Sequence, residues 1–147
     1  MIERTLEIEV NAPLADVYAI WDDMENLPRW MRFVREVRVL PGEDNLSRWK
    51  FGPGAPLVVE WTSRTTRRIP LRLIAWESVS GLANRGMAEF FPTAAGCRLR
   101  LTLAFETPGG LVGAFLEQIG VQRWVDENLI EDLERFRALV EPRPRPV

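Results

Sequence analysis

The chain has 147 residues, room for one domain of ordinary size and too few for two separate cores. A hydrophobic share of 46% beside 27% charged residues reads as soluble and globular, which excludes a disordered or membrane-embedded chain. The formal charge of −2, from 19 basic and 21 acidic residues, argues against nucleic acid as the main partner, because phosphate binding needs an excess of cations.

Taken in order, Met1–Val10 alternates: Leu6, Ile8 and Val10 are apolar while Thr5, Glu7 and Glu9 are polar, the period of a half-buried strand. No basic segment leads an apolar one there, so no signal peptide is expected. No run of ~20 apolar residues occurs, the length of a membrane-spanning helix, and a cytoplasmic protein is expected. Asn11-Ala12-Pro13 then stops the strand and starts a helix, with Asn11 as the expected cap. Val17, Ile20, Trp21 and Met24 follow at helical spacing until Pro28, which leaves a short second helix around Leu27–Met31.

Six strands are predicted next: Phe33–Leu40, Leu46–Phe51, Leu57–Thr66, Leu71–Val79, Gly86–Phe91 and Arg98–Glu106. Turn signals such as Pro41-Gly42, Gly52-Pro53-Gly54 and Ala95-Gly96 separate them. After Pro108-Gly109-Gly110 the period changes to that of a helix. Val121, Val125, Leu129, Leu133, Phe136 and Val140 form one apolar stripe, which Val112, Phe115, Leu116 and Ile119 extend toward the N-terminus, with Gly120 as a bend. One domain over 1–141 is expected, with a disordered Pro/Arg tail at 142–147.

The chain has no histidine, which removes Ser-His-Asp and Cys-His triads, imidazole metal ligands and the usual neutral-pH base. Its single cysteine, Cys97, has no disulfide or zinc partner and reads as inert. Asp22-Asp23 and Glu131-Asp132 are neighbours on helices and point apart, so neither is an acid/base pair. No nucleophile, base and orienting group come together, and the composition leans toward binding, with no metal or cofactor expected. Six tryptophans point to a large core or a ligand-facing cavity.

Several motifs carry a resemblance: Asn11-Ala12-Pro13 with Val17-Tyr18; Trp21 with Glu25-Asn26-Leu27-Pro28-Arg29-Trp30-Met31; Ile74-Ala75-Trp76-Glu77-Ser78; Asn84-Arg85-Gly86 with Phe90 and Pro92; and Asp132-Leu133-Glu134-Arg135-Phe136. In these the chain resembles the START-like (SRPBCC) superfamily, in its polyketide cyclase/dehydrase and lipid-transport branch. The resemblance implies an α+β helix-grip fold, in which a seven-stranded curved antiparallel sheet wraps a long C-terminal helix, with two short helices after the first strand. One departure is Arg64, which stands in the fourth strand where such proteins often carry an acid, so no role can rest on that carboxylate.

The resemblance also sets which strand face looks inward. Trp49, Trp61, Ser63, Trp76, Ser78, Phe90, Leu103 and Phe105 then become candidate ligand-binding residues, as do Trp124 and Asn128, a ledge at i, i+4 on the helix. Trp30, beside the break at Pro28, is expected at the cavity mouth, where it would gate entry or, with Met31 and Phe33, touch a membrane; packing as a wedge is the alternative. An apolar pocket and an apolar core use the same residues, and buried hydroxyls such as Ser63 also pair with backbone. The arginines Arg29, Arg32, Arg35 and Arg38 are expected in solvent.

The expected function is binding of an apolar or amphipathic small molecule, a lipid, quinone or polyketide-like compound, between sheet and helix. No nucleic-acid partner and at most transient membrane contact are expected, the protein being a monomer or homodimer. One alternative is an aromatase/cyclase or dehydratase in the same cavity, which a buried carboxyl group with raised pKa would favour and an all-apolar lining would oppose. The other is a protein–protein module, since relatives in this branch include proteins that associate with ribosomal subunits; a solid interior with an apolar surface patch would mark it.

Overall fold

A computed structural model describes residues 2–42, 45–54, 57–107, 109, 113–114, 117 and 120–142, with the side chains at 54, 121 and 122 left aside. The elements run β1 (Ile2–Val10), α1 (Leu14–Asp22), a 3-10 helix (Met24–Arg29), β2 (Val34–Val39), β3 (Leu46–Gly54), β4 (Leu57–Ile69), β5 (Leu73–Gly81), β6 (Asn84–Pro92), β7 (Cys97–Phe105) and α2 (Val121–Val140). The strands form one antiparallel sheet in the order β1-β7-β6-β5-β4-β3-β2. Strands joined by short turns pair with their neighbours, and β1 closes against β7 because the chain returns to it last. The α+β helix-grip architecture is therefore present. Among the described residues no helix is long and apolar enough to cross a membrane.

Alternation makes one sheet face dry and the other wet. Arg98 and Arg100 on β7 meet Glu9 and Glu7 on β1, each at 2.8 Å, and Arg48 on β3 meets Glu60 on β4 at 3.3 Å. Exposed cross-strand pairs of this kind favour one register and add little to stability. On the dry face Ile74, Ala88, Phe90, Leu99 and Leu101 are buried in one core with Val125, Leu129, Leu133 and Phe136 of α2. Register shifts interrupt the pairing of β2 to β5 at Val34/Glu36, Phe51/Gly54, Thr62/Ser63 and Thr65/Arg67. Each shift is an extra residue that bends the strand. At Gly52, φ +139, a Cβ would lie 2.0 Å from the Leu57 carbonyl oxygen, so this bend requires glycine.

Several details differ from expectation. Asn11 does not cap α1: the helix begins two residues later than that role requires, with Pro13 at the cap position and its carbonyl accepting from Asp16 and Val17. The Asn11 backbone N–H instead donates to Glu141 at the end of α2, 2.9 Å away. Strand β5 starts at Leu73 because Pro70 and Leu71 form the turn before it, closed by Arg72 N–H to the Ile69 carbonyl at 3.0 Å. Val112, Phe115, Leu116, Ile119 and the tail at 143–147 lie outside the described residues.

Helix α2 is fastened to the rest by polar contacts at both edges. Arg137 Nε donates to the Glu9 carbonyl at 3.1 Å, Arg4 pairs with Asp126 at 3.1 Å, and Arg135 Nε donates to the Trp30 carbonyl at 3.1 Å.

Candidate functional site: an aromatic cavity under the C-terminal helix

A cavity of about 130 Å³ lies between the sheet and the N-terminal half of α2. Five of the six tryptophans line it: Trp21 from α1, Trp49, Trp61 and Trp76 from the inner faces of β3, β4 and β5, and Trp124 from α2. Phe33, Phe51 and Phe105 complete its aromatic wall. The ring contacts fall into two groups. Trp49 stacks on Trp61 (5.7 Å between centroids, 15° between planes), Phe51 touches both Trp61 (6.1 Å) and Trp124 (5.9 Å), and Trp124 reaches Phe33 at 4.9 Å. On the opposite side Trp76 stacks on Trp21 at 6.2 Å.

Backbone and hydroxyl anchors hold these rings. Trp49 Nε1–H donates to the buried Ser47 hydroxyl at 2.9 Å, which fixes the indole that Trp61 stacks on. Trp76 lies flat over Gly86, its partner across β6. The indole N–H groups of Trp21 and Trp61 are buried and have no hydrogen-bond partner among the described residues. Such donors are costly to leave unmade, and both belong to cavity-lining side chains.

Polar groups interrupt the apolar wall at Asn84, Asn128 and Asp132, and exposed Arg85 lies at its edge. Asn84 Nδ2 donates to the Leu82 carbonyl at 2.8 Å and Asn128 Nδ2 to the Trp124 carbonyl at 2.7 Å. Each amide thereby fixes its orientation on its own chain segment. Asp132 is 5% exposed. Its Oδ1 accepts the Arg32 backbone N–H at 3.2 Å and pairs with Arg135. Burial pushes this carboxyl group above its ordinary range, against the opposing pull of the Arg32 N–H and the Arg135 charge.

Of the sequence-derived candidates, Trp49, Trp61, Trp76, Leu103, Phe105, Trp124 and Asn128 line the cavity. Trp30, Ser63, Ser78 and Phe90 do not. Trp30 is 1% exposed and packs between Trp21 (5.0 Å) and Phe136 (4.9 Å), so it is a wedge between α1 and α2 and neither a gate nor a membrane contact. Ser63 donates to the Glu77 carbonyl at 3.4 Å and Ser78 accepts the Asn84 backbone N–H at 2.9 Å, which satisfies both hydroxyls within the sheet. Phe90 is buried against Tyr18 at the other end of the sheet.

Burial also raises the Tyr18 phenol and the Cys97 thiol, which keeps both in their neutral, unreactive forms. Sequence reasoning missed Asp132 as a lining residue. The signal was present: Asp132 continues the Trp124–Asn128 ledge by one more step of four. Asn84 and Gly86 were visible only as parts of a motif.

Over residues 10–134 the chain matches the family described as polyketide cyclase / dehydrase and lipid transport. Among curated proteins none matches. Solved structures with the same fold include protein DR_A0006 from Deinococcus radiodurans, 27% identical, with a TM-score of 0.72 over 94% of this chain and 95% of that one. A START superfamily protein from Mycobacterium smegmatis is 15% identical, with a TM-score of 0.71 over 95% of each chain. The ZhuI aromatase/cyclase from Streptomyces sp. R1128 is 19% identical, with a TM-score of 0.67 over 95% of this chain and 92% of that one.

Proposed function

The chain belongs to the polyketide cyclase / dehydrase and lipid-transport family, and on that premise we propose that it binds an apolar or amphipathic small molecule in the aromatic cavity. The observation that carries this reading is the lining itself, five indoles and three phenyl rings around unfilled space. Affinity comes from apolar surface removed from water, roughly 25 cal/mol per Å² before ordering losses. The unpartnered N–H groups of Trp21 and Trp61 favour a ligand that carries an acceptor oxygen, and the amides of Asn84 and Asn128 give it a polar edge to align with. Orientation therefore moves to these groups from Ser63 and Ser78, which the sheet already occupies.

The reading is tested by titrating the protein with 1-naphthol and following tryptophan fluorescence. Binding is expected to fall about tenfold or more in Trp61→Ala and Trp124→Ala, each of which removes a large aromatic surface from the wall. Affinity equal to wild type in both variants would refute the cavity as the binding site.

A second reading, dehydration or cyclisation of a polyketide-like substrate, is favoured by one specific observation: a buried carboxyl group with raised pKa, Asp132, lines the cavity. In its protonated form it would give a proton to a hydroxyl leaving as water and recover one from the carbon that loses hydrogen. A dry site that folds a reactive chain supplies the rest through proximity. Asp132 has a structural task as well, since it ties Arg32 to α2. The two readings separate in Asp132→Asn, where a carrier keeps its ligand affinity and an enzyme keeps affinity but loses turnover.

A further inference from the structure

Gly52, Gly81 and Gly96 have positive φ and are hemmed in by backbone atoms, the ordinary reasons for glycine in a sheet. Gly86 has neither feature. It pairs with Trp76 across β5 and β6, and a Cβ built on it would lie 2.2 Å from Cζ2, 2.4 Å from Cε2 and 2.8 Å from Nε1 of that indole. Contacts this short do not occur, so any side chain at 86 must lift the ring off β6. The other face of the indole is the cavity side, where Trp76 lies beside Trp21. A ring lifted off Gly86 moves toward that side.

We propose that Trp76, seated on Gly86, is the wall that sets the size of ligand the cavity accepts, and that this ligand presents a flat group of one or two rings. The proposal rests on the cavity being a binding site and adds what that site selects. A volume of about 130 Å³ is the scale of an engineered apolar cavity of ~150 Å³ that takes one benzene, and because this cavity is partly open rather than enclosed, a second fused ring can extend toward its mouth. Around that space the lining is mainly aromatic, five indoles and three phenyl rings. An aromatic lining accepts planar groups by offset or edge-to-face stacking and leaves poorer contact for branched ones. Glycine at 86 thus keeps Trp76 flat and the space open, and each atom added there is subtracted from the ligand.

The test uses phenol, 1-naphthol and 1-hydroxypyrene, which have one, two and four fused or single rings, titrated against wild type, Gly86→Ala, Trp76→Phe and Gly86→Ala/Trp76→Phe. Wild type is expected to bind phenol and 1-naphthol and to reject 1-hydroxypyrene. Gly86→Ala is expected to lose about tenfold or more for 1-naphthol and little for phenol, the usual penalty for overfilling an apolar pocket. Phenylalanine at 76 lacks the atoms that meet a Cβ at 86, so the double variant regains 1-naphthol affinity. Trp76→Phe alone, which does not depend on Gly86→Ala folding, is expected to admit 1-hydroxypyrene. If wild type binds 1-naphthol while Gly86→Ala binds it equally well, or Trp76→Phe still rejects 1-hydroxypyrene, the size-setting role is wrong and the binding site stands. If wild type binds none of the three, the binding site itself fails, and the proposal with it.

Discussion

The two ends of the sheet use the same kinds of residue and reach opposite results. At one end Phe90 meets Tyr18 edge-on at 5.2 Å, and Val10, Val17, Ala88, Cys97 and Leu99, each no more than 1% exposed, fill the gaps around them. At the other end the rings of Trp49, Trp61, Trp76 and Trp124 surround a cavity of about 130 Å³. Small side chains distinguish the two ends. Where they alternate with rings the interior interdigitates, and where large rings crowd together, two of them pinned from behind, a void survives. Ser47 behind Trp49 and Gly86 behind Trp76 are those pins.

This contrast is broken most forcefully at the filled end. Phe90→Ala leaves a hole in close packing and is expected to lower the unfolding free energy by about 3–5 kcal/mol, read by urea denaturation. Affinity for 1-naphthol in the surviving folded protein should not change, and a loss there would mean that the two ends are not separate. Trp124→Ala works the other way. Its ring is half-buried at the cavity, so the stability loss is expected near 1–2 kcal/mol while ligand binding suffers most. Equal stability losses in the two variants would contradict the distinction.

Asp132 sharpens the comparison through pH. Its pKa in the folded chain lies above the ordinary 3.8, so the folded state takes up a proton that the unfolded chain accepts only at lower pH. The contribution of this group to stability therefore grows as pH falls through the folded pKa, and is complete below the unfolded one. Melting temperatures of wild type and Asp132→Asn, compared from about pH 7 downward, should show wild type gaining on the variant. Wild type losing ground instead would mean that the Arg135 pairing outweighs burial. The smallest effect is expected at Arg123→Ala: its partner Glu127, at 2.9 Å, is exposed on the same helix, and the melting temperature should not move measurably.

Most of the fold is legible in the sequence because its periods are clean. Cys97, Leu99 and Leu101 alternate cleanly with Arg98, Arg100 and Thr102, the pattern breaking only at buried Ala104, and Val125 to Phe136 keep a single helical stripe. The faults occur where one local signal competes with another, as at Asn11, a good capping residue placed two positions too early. The site is less legible because period tells which face looks inward and not whether the space there is filled. Phe90 and Phe105 have the same pattern, yet one is packed solid and the other lines a cavity. Ser63 and Ser78 looked like ligand contacts because alternation cannot show that Glu77 and Asn84 already satisfy them. Gly86 carries no signal of its own, since its meaning lies in an indole ten residues earlier.

The most direct measurement is native mass spectrometry of the purified protein, as isolated and after incubation with excess 1-naphthol. A second species heavier than the 16.9 kDa chain by one small molecule, which organic solvent releases, is the expected result. The bare chain alone under both conditions would contradict the account, and would mean that the aromatic cavity is a packing defect and not a site.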